Sequence, residues 1–515
     1  MVEGYKKLIG KYFENRSFIE PNIKSFDNFI DKELKKVIEE VGEIRPTITP
    51  ENVEDFLIKL NKIWVGEPQL IEADGSKRNV FPMEVRLRSL TYAAPLFLEV
   101  SAYVDGLQIE NFTTQIGKIP IMVKSKHCNL HGLKRDELIE AGEDPDDSGG
   151  YFILNGNERV LIMVEDLASN RMFINKTSVG PSRYTLRLFS ESGALRIPHL
   201  IEQMKDGTLY LSFTRFKRVP IIAVIKALGM ANDQEITNMI NSEKDYDDLF
   251  INLYKGIEWK TEEDALDFLG KQIGITQSRE IKIERAKEFL DKYLLPHLGS
   301  KPENRVDKAY NLCKMIKRFL MVAKDGKSLT DKDHYLNKRI KLPGDLLADL
   351  LRVNMRVLVN DMLYNFQRLV KRGKFNSIKI IIRDKLLTSR ITSAMATGGW
   401  PGGRQGVSQN IDRTNYLGAM SHLSRVVSLL SSTQENFEAR ALHGTHWGKL
   451  CPIETPEGTS IGLRKNLAML STVSHDDVEK EKVKEILGKL GVQGVQRVQN
   501  GNKMSSSSRS PGGKR

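Results

Sequence analysis

Apolar residues near the start of the chain recur every three or four positions, which is the spacing of one helical face. The pattern predicts helix across the first 50 residues, and Gly42 is suited to end it. The apolar face consists of Phe26, Ile30, Leu34, Val37 and Val41.

A longer apolar stripe predicts a second helix over Gly344–Val370 that packs into a core. Pro343 and Asp345 suit its first turn, and Gly373 suits its end. The stripe consists of Leu347, Leu351, Met355, Leu358, Met362, Phe366 and Leu369.

Strand patterns occupy much of the region between these helices. Two β-rich runs in Tyr151–Met163 flank Asn155-Gly156, a pair typical of a tight hairpin turn. After Phe173, strand-like runs at Tyr184–Phe189 and Thr208–Phe213 precede helical segments such as Glu262–Phe289. Residues from Phe173 to about Ser300 are therefore predicted to form an inserted domain, and the chain to be an α+β, multidomain mixed helix/sheet protein.

Composition narrows the classes of protein. With 515 residues, the chain is long enough for about three domains. Its net charge of +12 favours a polyanionic partner, either nucleic acid or an anionic membrane, although a merely Lys-rich protein has the same charge. No apolar run approaches a membrane span and Met1–Gly10 lacks a signal-peptide core, so a cytoplasmic protein without a membrane partner is expected.

Metal binding by this chain is not expected. The three cysteines lie far apart, which argues against a disulfide scaffold or a CxxC zinc site. The groups His127–His131 and His443–His446 lack the further ligands that zinc needs. Asp144–Asp147 is either a solvated loop or, less favourably, a magnesium site.

Three further patterns have a simple structural explanation as well as a functional one. The glycine-rich Thr397–Gly406 lacks the GK[ST] of a phosphate loop and is predicted to be a flexible tip. Glu454 and Glu457 flank prolines, which favours a rigid loop over a catalytic acid pair. The basic segment 371–391 and the polar Ser408–Arg425 suit nucleic-acid contact, but polar loops look similar.

One stretch of the sequence is highly specific: His443–Gly462 reads HGTHWGKLCPIETPEGTSIG. Five further blocks accompany it along the chain, Phe81–Val100, Gly149–Arg171, Arg218–Ile236, Asp331–Leu347 and Gly406–Arg425. In this order the blocks resemble the second-largest subunit of multisubunit RNA polymerases, in its archaeal and eukaryotic form.

The resemblance implies an architecture. Residues 1–172 and 326–390 would form a discontinuous protrusion domain, and residues 173–325 a lobe. Residues 391–471 would form the fork, and residues 472–515 a low-complexity, disordered tail. The Ser-rich end has no counterpart in the family, and the break after the fork fits archaea that encode this subunit as two chains.

The resemblance also implies roles beside the RNA–DNA hybrid and the downstream duplex. One fork loop would contain Gly398, Gly399 and Arg404, and the other Ser431 and Glu435. The nucleic-acid-contacting residues would be Gln409, Arg413, His422, Arg425, Arg440 and Glu457. After His422 the chain reads Leu-Ser-Arg where relatives carry two basic residues, so contact there is expected to be weaker.

The implied enzyme is a DNA-directed RNA polymerase that uses Mg²⁺, and no catalytic residue is expected on this chain. The magnesium motif belongs to another subunit, and the chain alone is expected to be inactive. Expected partners are the C-terminal half of the second-largest subunit, the largest-subunit chains, the assembly subunits, the DNA template and the RNA transcript. The alternative is a stand-alone nucleic-acid-binding regulator with a polymerase-like fold.

Overall fold

The computed structural model describes residues 2–15, 18–50, 53–177, 180–193, 195–241, 245–274, 277–326, 329–373, 377–474 and 480–490. By its contacts the chain divides into one large unit, Met1–Thr472, and a small one, Val473–Arg515. The α-helices are α1 Val2–Asn15, α2 Glu20–Asn28, α3 Leu34–Val41, α4 Pro82–Leu87, α5 Arg135–Glu140, α6 Ile221–Ala227, α7 Asp233–Ile240, α8 Asp247–Lys255, α9 Glu262–Gln272, α10 Arg279–Tyr293, α11 Arg305–Asp325, α12 Pro343–Val370, α13 Asp384–Thr397, α14 Tyr416–Leu423, α15 Phe437–Arg440 and α16 Lys480–Lys489.

The β-strands make the fold a mixed one. They are β1 Glu43–Ile44, β2 Phe56–Val65, β3 Gln69–Ile71, β4 Lys77–Asn79, β5 Ala93–Val104, β6 Leu107–Pro120, β7 Phe152–Leu154, β8 Asn157–Leu161, β9 Met163–Leu167, β10 Met172–Lys176, β11 Ser182–Ser192, β12 Leu195–Met204, β13 Leu209–Phe213, β14 Phe216–Pro220, β15 Lys338–Lys341, β16 Ser408–Asn410, β17 Arg425–Ser428 and β18 Arg464–Asn466. The predicted α+β class is confirmed.

The first hydrophobic core combines residues from early and late parts of the large unit. It contains residues from Ile19 to Leu423 but omits the stretch between β10 and α11. The helix α12 crosses this core, with Pro343 in its first turn and the Asp345 carboxylate accepting the Leu342 amide at 3.0 Å. The predicted second helix is confirmed by its span, and its apolar stripe is buried except for Leu369, which is partly buried.

The N-terminal helices contain the predicted apolar face, but they do not extend over all of the first 50 residues. Helix α3 ends at Val41, and Gly42 has a φ of 66° that favours glycine. A π-helical turn at Phe29–Glu33 separates α2 from α3. Residues Glu43–Ile44 pair with β2, so the prediction of helix is wrong there.

A second core contains residues from Ile174 to Val322. Its antiparallel sheet has the order β10-β11-β12-β13-β14, and helices α6 to α11 pack beside it. The predicted strands at 184–189 and 208–213 are present, whereas 262–289 forms two helices, α9 and α10. The inserted stretch thus has its own core, while the domain borders stay a prediction.

Two small sheets position the region implied to be the fork. Strands β16, β8 and β7 form one, with the predicted turn at Asn155-Gly156, where both residues have positive φ. The other has the order β15-β9-β17-β18, and β17 runs parallel to β9. These sheets join residues 408–466 to residues 152–167.

The remaining elements are short. Three-residue or four-residue 3-10 helices occur at Pro296–Leu298, Pro302–Asn304, Tyr335–Asn337, Ile378–Ile381, Gly444–His446 and Gly458–Ser460. In the small unit, α16 is helical where the sequence predicts a disordered tail, and residues 491–515 lie outside the described residues. Within the described ranges, no helix combines the length and apolar character needed to cross a membrane.

Candidate nucleic-acid interface

Strand β16 and helix α14 position the first candidate residues. Gln409 pairs with Val160 in the β16–β8 ladder, so its backbone is fixed by the hairpin predicted from sequence. The Asn415 side chain accepts the Gly418 amide at 2.6 Å and caps α14, which ends just after His422. Arg425 then begins β17.

His422 is buried and forms hydrogen bonds through both ring nitrogens. Its Nδ1 accepts the Asp412 amide at 3.1 Å, and its Nε2 lies 3.3 Å from Gln409 Oε1. Because a backbone amide donates to Nδ1, the ring proton belongs on Nε2, which then donates to Gln409. Burial and the nearby Arg425 guanidinium lower the pKa of His422 to about 4, so the ring is neutral at pH 7.

Arg425 is half-buried and lies beside Arg464 of β18. Burial and the Arg464 charge lower the pKa of Arg425, and the carboxylates of Glu454 and Asp412 oppose that effect only in part. Neither guanidinium group forms a hydrogen bond or an ion pair within the described part of the chain. The sequence prediction contained Arg425 but missed Arg464.

Arg413 is held against the protein, although it lies near the surface. Its Nε donates to Glu158 at 2.7 Å, and its guanidinium lies 4.9 Å from the Tyr151 ring centroid. Asp147 lies 3.5 Å away. Arg413 therefore ties the loop after β16 to the β7–β8 hairpin.

Arg440 binds backbone carbonyls and joins two loops. Its Nη1 donates to the carbonyls of Thr459 and Ile461 at 2.6 and 3.1 Å. Its Nη2 donates to those of Ser432 and Gln434 at 2.8 and 3.2 Å. All four acceptors are neutral carbonyl oxygens. Arg440 therefore holds the two loops in place, and the donors of both its Nη atoms are already hydrogen-bonded.

The glycine-rich loop differs from the flexible tip predicted for it. The indole of Trp400 is buried and donates to the Leu346 carbonyl at 2.7 Å. Arg404 is also buried, and its guanidinium pairs with Asp166 at 2.9 Å and Asp349 at 3.3 Å. These contacts anchor the loop to α12 and β9, so Arg404 is not presented at the surface.

Gly398 and Gly399 of this loop differ in the space available for a side chain. Gly398 ends α13 with a φ of +76°, and a Cβ there would lie 2.8 Å from the Ser408 carbonyl oxygen. Gly399 has more room, since its nearest neighbour would be 3.6 Å from a Cβ. Gly398 therefore requires glycine, whereas Gly399 tolerates a side chain.

The remaining candidates lie on exposed loops. Ser431 and Glu435 are exposed in the loop after β17, and the Ser431 hydroxyl lies 2.7 Å from that of Thr433. Glu457 is exposed ahead of the Gly458–Ser460 turn. Glu454 is exposed as well, and it accepts a hydrogen bond from the Ser421 hydroxyl.

A cluster of buried charged residues lies beneath this surface, and the sequence analysis did not predict it. Glu165 of β9 pairs with Lys338 of β15 at 2.6 Å and with Lys465 of β18 at 3.1 Å. The Tyr335 hydroxyl donates to the same carboxylate at 3.0 Å. Burial raises the pKa of Glu165, but the two ammonium groups outweigh it and the pKa is lowered, so the carboxylate is charged.

The described residues do not bring together three or more His, Cys, Asp or Glu side chains in a metal-binding arrangement. In the acidic stretch 144–147, Asp146 pairs with Arg135 at 2.9 Å and Asp147 accepts the Tyr151 hydroxyl. These carboxylates already have donors, so they do not fit a magnesium site.

Taken together, the site is a surface of amide, guanidinium and carboxylate groups on a rigid frame. Gln409, Arg425, Arg464 and Glu457 face outward at least in part, whereas Arg404, Arg413, Arg440 and His422 mainly hold that frame. Groups of this kind are suited to contact with a sugar–phosphate backbone through charge and hydrogen bonds.

Comparison with known proteins identifies the family of the chain. Residues 17–391 match the family model described as RNA polymerase beta subunit, and residues 409–473 match RNA polymerase Rpb2, domain 3. The chain is 40% identical to the DNA-directed RNA polymerase subunit Rpo2 of Saccharolobus solfataricus over 96% of its own length and 44% of the relative. It therefore spans less than half of that relative.

Shorter relatives match from end to end. The chain is 41% identical to subunit Rpo2N of Methanocaldococcus jannaschii, over 95% of its length and 99% of the relative. It is 36% identical to Rpo2N of Halobacterium salinarum, over 96% and 97%. The chain belongs to the RNA polymerase beta-subunit family and corresponds to the N-terminal half of the archaeal second-largest subunit.

Proposed function

We propose that this chain acts within a DNA-directed RNA polymerase, where it helps to hold the DNA template and the RNA–DNA hybrid and to separate the strands. The relatives are DNA-directed RNA polymerase subunits, which supports the enzyme class. One structural observation supports the contact. Within the described residues the Arg425 guanidinium forms no hydrogen bond or ion pair, whereas those of Arg404, Arg413 and Arg440 all have acceptors.

In this proposal the chain orients nucleic acid and leaves the chemistry to other polypeptides. Guanidinium and amide groups bind phosphate and sugar oxygens, which fixes position without reading sequence. RNA synthesis from ribonucleoside triphosphates uses Mg²⁺ held by another subunit, where it would stabilise the charge of phosphoryl transfer. This chain alone is then inactive.

The proposed partners include the C-terminal half of the second-largest subunit, the largest-subunit chains and the assembly subunits, all in the cytoplasm. In relatives such as Saccharolobus Rpo2, more than half of the length lies outside the matched part. Trp447 and Ile453 of this chain are 87% and 85% exposed. Large exposed apolar side chains of this kind suit an obligate contact.

Activity and assembly together test the proposal. We expect the purified chain alone to incorporate no labelled nucleotide, and the complex isolated with it to incorporate nucleotide on a DNA template. Gln409→Ala and Arg425→Ala should shorten elongation or destabilise the transcript without preventing assembly. Arg135→Ala, which removes an exposed arginine paired with Asp146, is the matched control and should elongate normally.

The alternative of a stand-alone regulator makes a different prediction. It requires a free monomer in native cells and tight, salt-sensitive DNA binding by the isolated chain. Purification from native cells in a many-subunit particle supports the polymerase proposal. A free monomer, with normal elongation by both variants in any complex, contradicts it.

A further inference from the structure

Two arginines lie side by side on the outer face of the β17–β18 pair. In this antiparallel ladder, Arg425 is opposite Asn466 and Val427 is opposite Arg464. Arg425 and Arg464 are therefore diagonal neighbours on one face, with Cα atoms about 7–8 Å apart. The intervening residues Val426 and Lys465 are buried on the other face.

Both guanidinium groups lack the partners that other cations nearby possess. Arg404 pairs with Asp166 and Asp349, Arg413 with Glu158, and buried Lys465 with Glu165. Within the described residues, Arg425 and Arg464 form neither a hydrogen bond nor an ion pair. Two unpaired like charges at this separation repel each other, which costs stability unless an anion lies between them.

The nearest carboxylates are already engaged. Asp412 accepts hydrogen bonds from the amide and hydroxyl of Thr414 at 2.9 and 2.7 Å, and Glu454 accepts one from Ser421. Burial and the Arg464 charge lower the pKa of Arg425, and the Glu454 and Asp412 charges oppose them, but within the described residues neither carboxylate forms an ion pair with either arginine. The two guanidinium groups are therefore left without an ion-pair partner on this face.

We infer that Arg425 and Arg464 together hold one phosphate group of a nucleic-acid backbone. A phosphate accepts several hydrogen bonds from guanidinium groups and neutralises both charges at once. This inference rests on the proposed function and deepens it. It adds Arg464 as a binding residue and assigns both arginines to the same phosphate.

The test uses stalled elongation complexes of the assembled polymerase, challenged with salt. Arg425→Gln and Arg464→Gln should each shorten the lifetime of the complex about tenfold, as expected for loss of a hydrogen bond to a charged group. The double variant should lose little more than either single variant, because the phosphate is shared. Arg135→Gln is the control and should leave the lifetime unchanged.

The source of the phosphate is found by neutralising one phosphate at a time. Scaffolds carry a single methylphosphonate either in the RNA or in the template DNA. At the contacted position, the methylphosphonate should shorten the lifetime of the wild-type complex but not that of the Arg464→Gln complex. A position in the RNA identifies the transcript, and a position in the DNA identifies the template.

Thermal stability separates this role from a structural one. Since Arg464→Gln removes repulsion, the Tm of the complex without nucleic acid should stay the same or rise while nucleic-acid retention falls. A lower Tm, an unchanged lifetime for Arg464→Gln, or additive loss in the double variant overturns the inference. If Arg425→Gln is impaired and Arg464→Gln is normal, the shared site fails and the proposed function stands. If Arg425→Gln and Gln409→Ala are both normal, the proposed function fails as well.

Discussion

Lys465 Nζ lies 3.1 Å from Glu165 Oε2, although 300 positions separate the two residues along the chain. Lys465 follows Arg464 on β18, and Glu165 lies on β9. Because adjacent strand residues point to opposite faces, the buried pair fixes the orientation of the arginine beside it. The outward positive surface thus depends on an inward ion pair.

Glu165→Gln should strongly destabilise the large unit. It leaves the buried Lys465 ammonium without its carboxylate partner and Lys338 with Asp333 alone, and a buried charge that loses its partner typically costs about 3–5 kcal/mol. Urea unfolding followed by tryptophan fluorescence measures the loss. The control is Glu20→Gln, which removes a surface pair with Lys24 and should change the free energy by no more than about 1 kcal/mol; equal effects would contradict the assigned role.

His422 should make stability fall in mildly acidic solution. Its ordinary pKa is 6.5, whereas burial and nearby arginines lower it to about 4 in the folded chain. Between these values the unfolded chain binds the proton and the folded chain does not, so the free energy of unfolding decreases as pH falls from 6.5 to 4.

The measurement is Tm against pH for the wild type and for His422→Gln. The wild type should lose Tm more steeply over that window, and the two curves should run parallel above it. His131→Gln replaces an exposed histidine and should retain the wild-type slope. Identical slopes for His422→Gln and the wild type would show that the ring is not held neutral.

Gly462→Ala should be far more damaging than Gly458→Ala. Both glycines have positive φ, +71° and +80°, so an L side chain adds similar backbone strain of about 1–2 kcal/mol at each. Only at Gly462 would the Cβ also meet backbone, 2.2 Å from the Arg440 carbonyl oxygen. Comparing Tm and recovery in the complex checks this, and similar losses would mean that the close approach is absent.

Arg440→Lys should loosen two loops without exposing a core. A lysine ammonium cannot span the four carbonyls that the Arg440 fork reaches, so about 1–3 kcal/mol of hydrogen bonding is lost. Hydrogen exchange in the assembled complex should quicken at 431–436 and 458–461. Arg390→Lys changes an exposed arginine of α13 and should leave exchange there unaltered; no change in either variant would refute the bracing role.

Local patterns in the sequence predicted local structure well. The Asn155-Gly156 hairpin and the α12 helix follow from turn chemistry and a continuous apolar stripe, and the structure has both. The same reasoning extended the first helix too far, since Glu43 and Ile44 join a strand through pairing with Lys59 and Ile58. Such pairing depends on a distant partner that local periodicity does not contain.

The candidate site was harder to predict, because a positive charge in the sequence does not reveal which acceptor it meets. Arg404 was expected in an exposed loop and Arg440 in contact with nucleic acid, yet the first pairs with Asp166 and Asp349 and the second with backbone carbonyls. The sequence alone did not single out Arg464, because only the pairing of β17 with β18 places it diagonally across from Arg425. The family resemblance identified the region. Only the folded structure distinguished the residues that face outward from those that hold the loops in place.

Photochemical cross-linking tests the central claim most directly. A photoreactive residue replaces Gln409 or Glu457 in the assembled polymerase, and the stalled complex carries radiolabelled RNA and template DNA. The account predicts labelling of nucleic acid from both positions and none from Ile71, an exposed residue of β3. Labelling confined to protein subunits at positions 409 and 457, in complexes that still elongate, would contradict it.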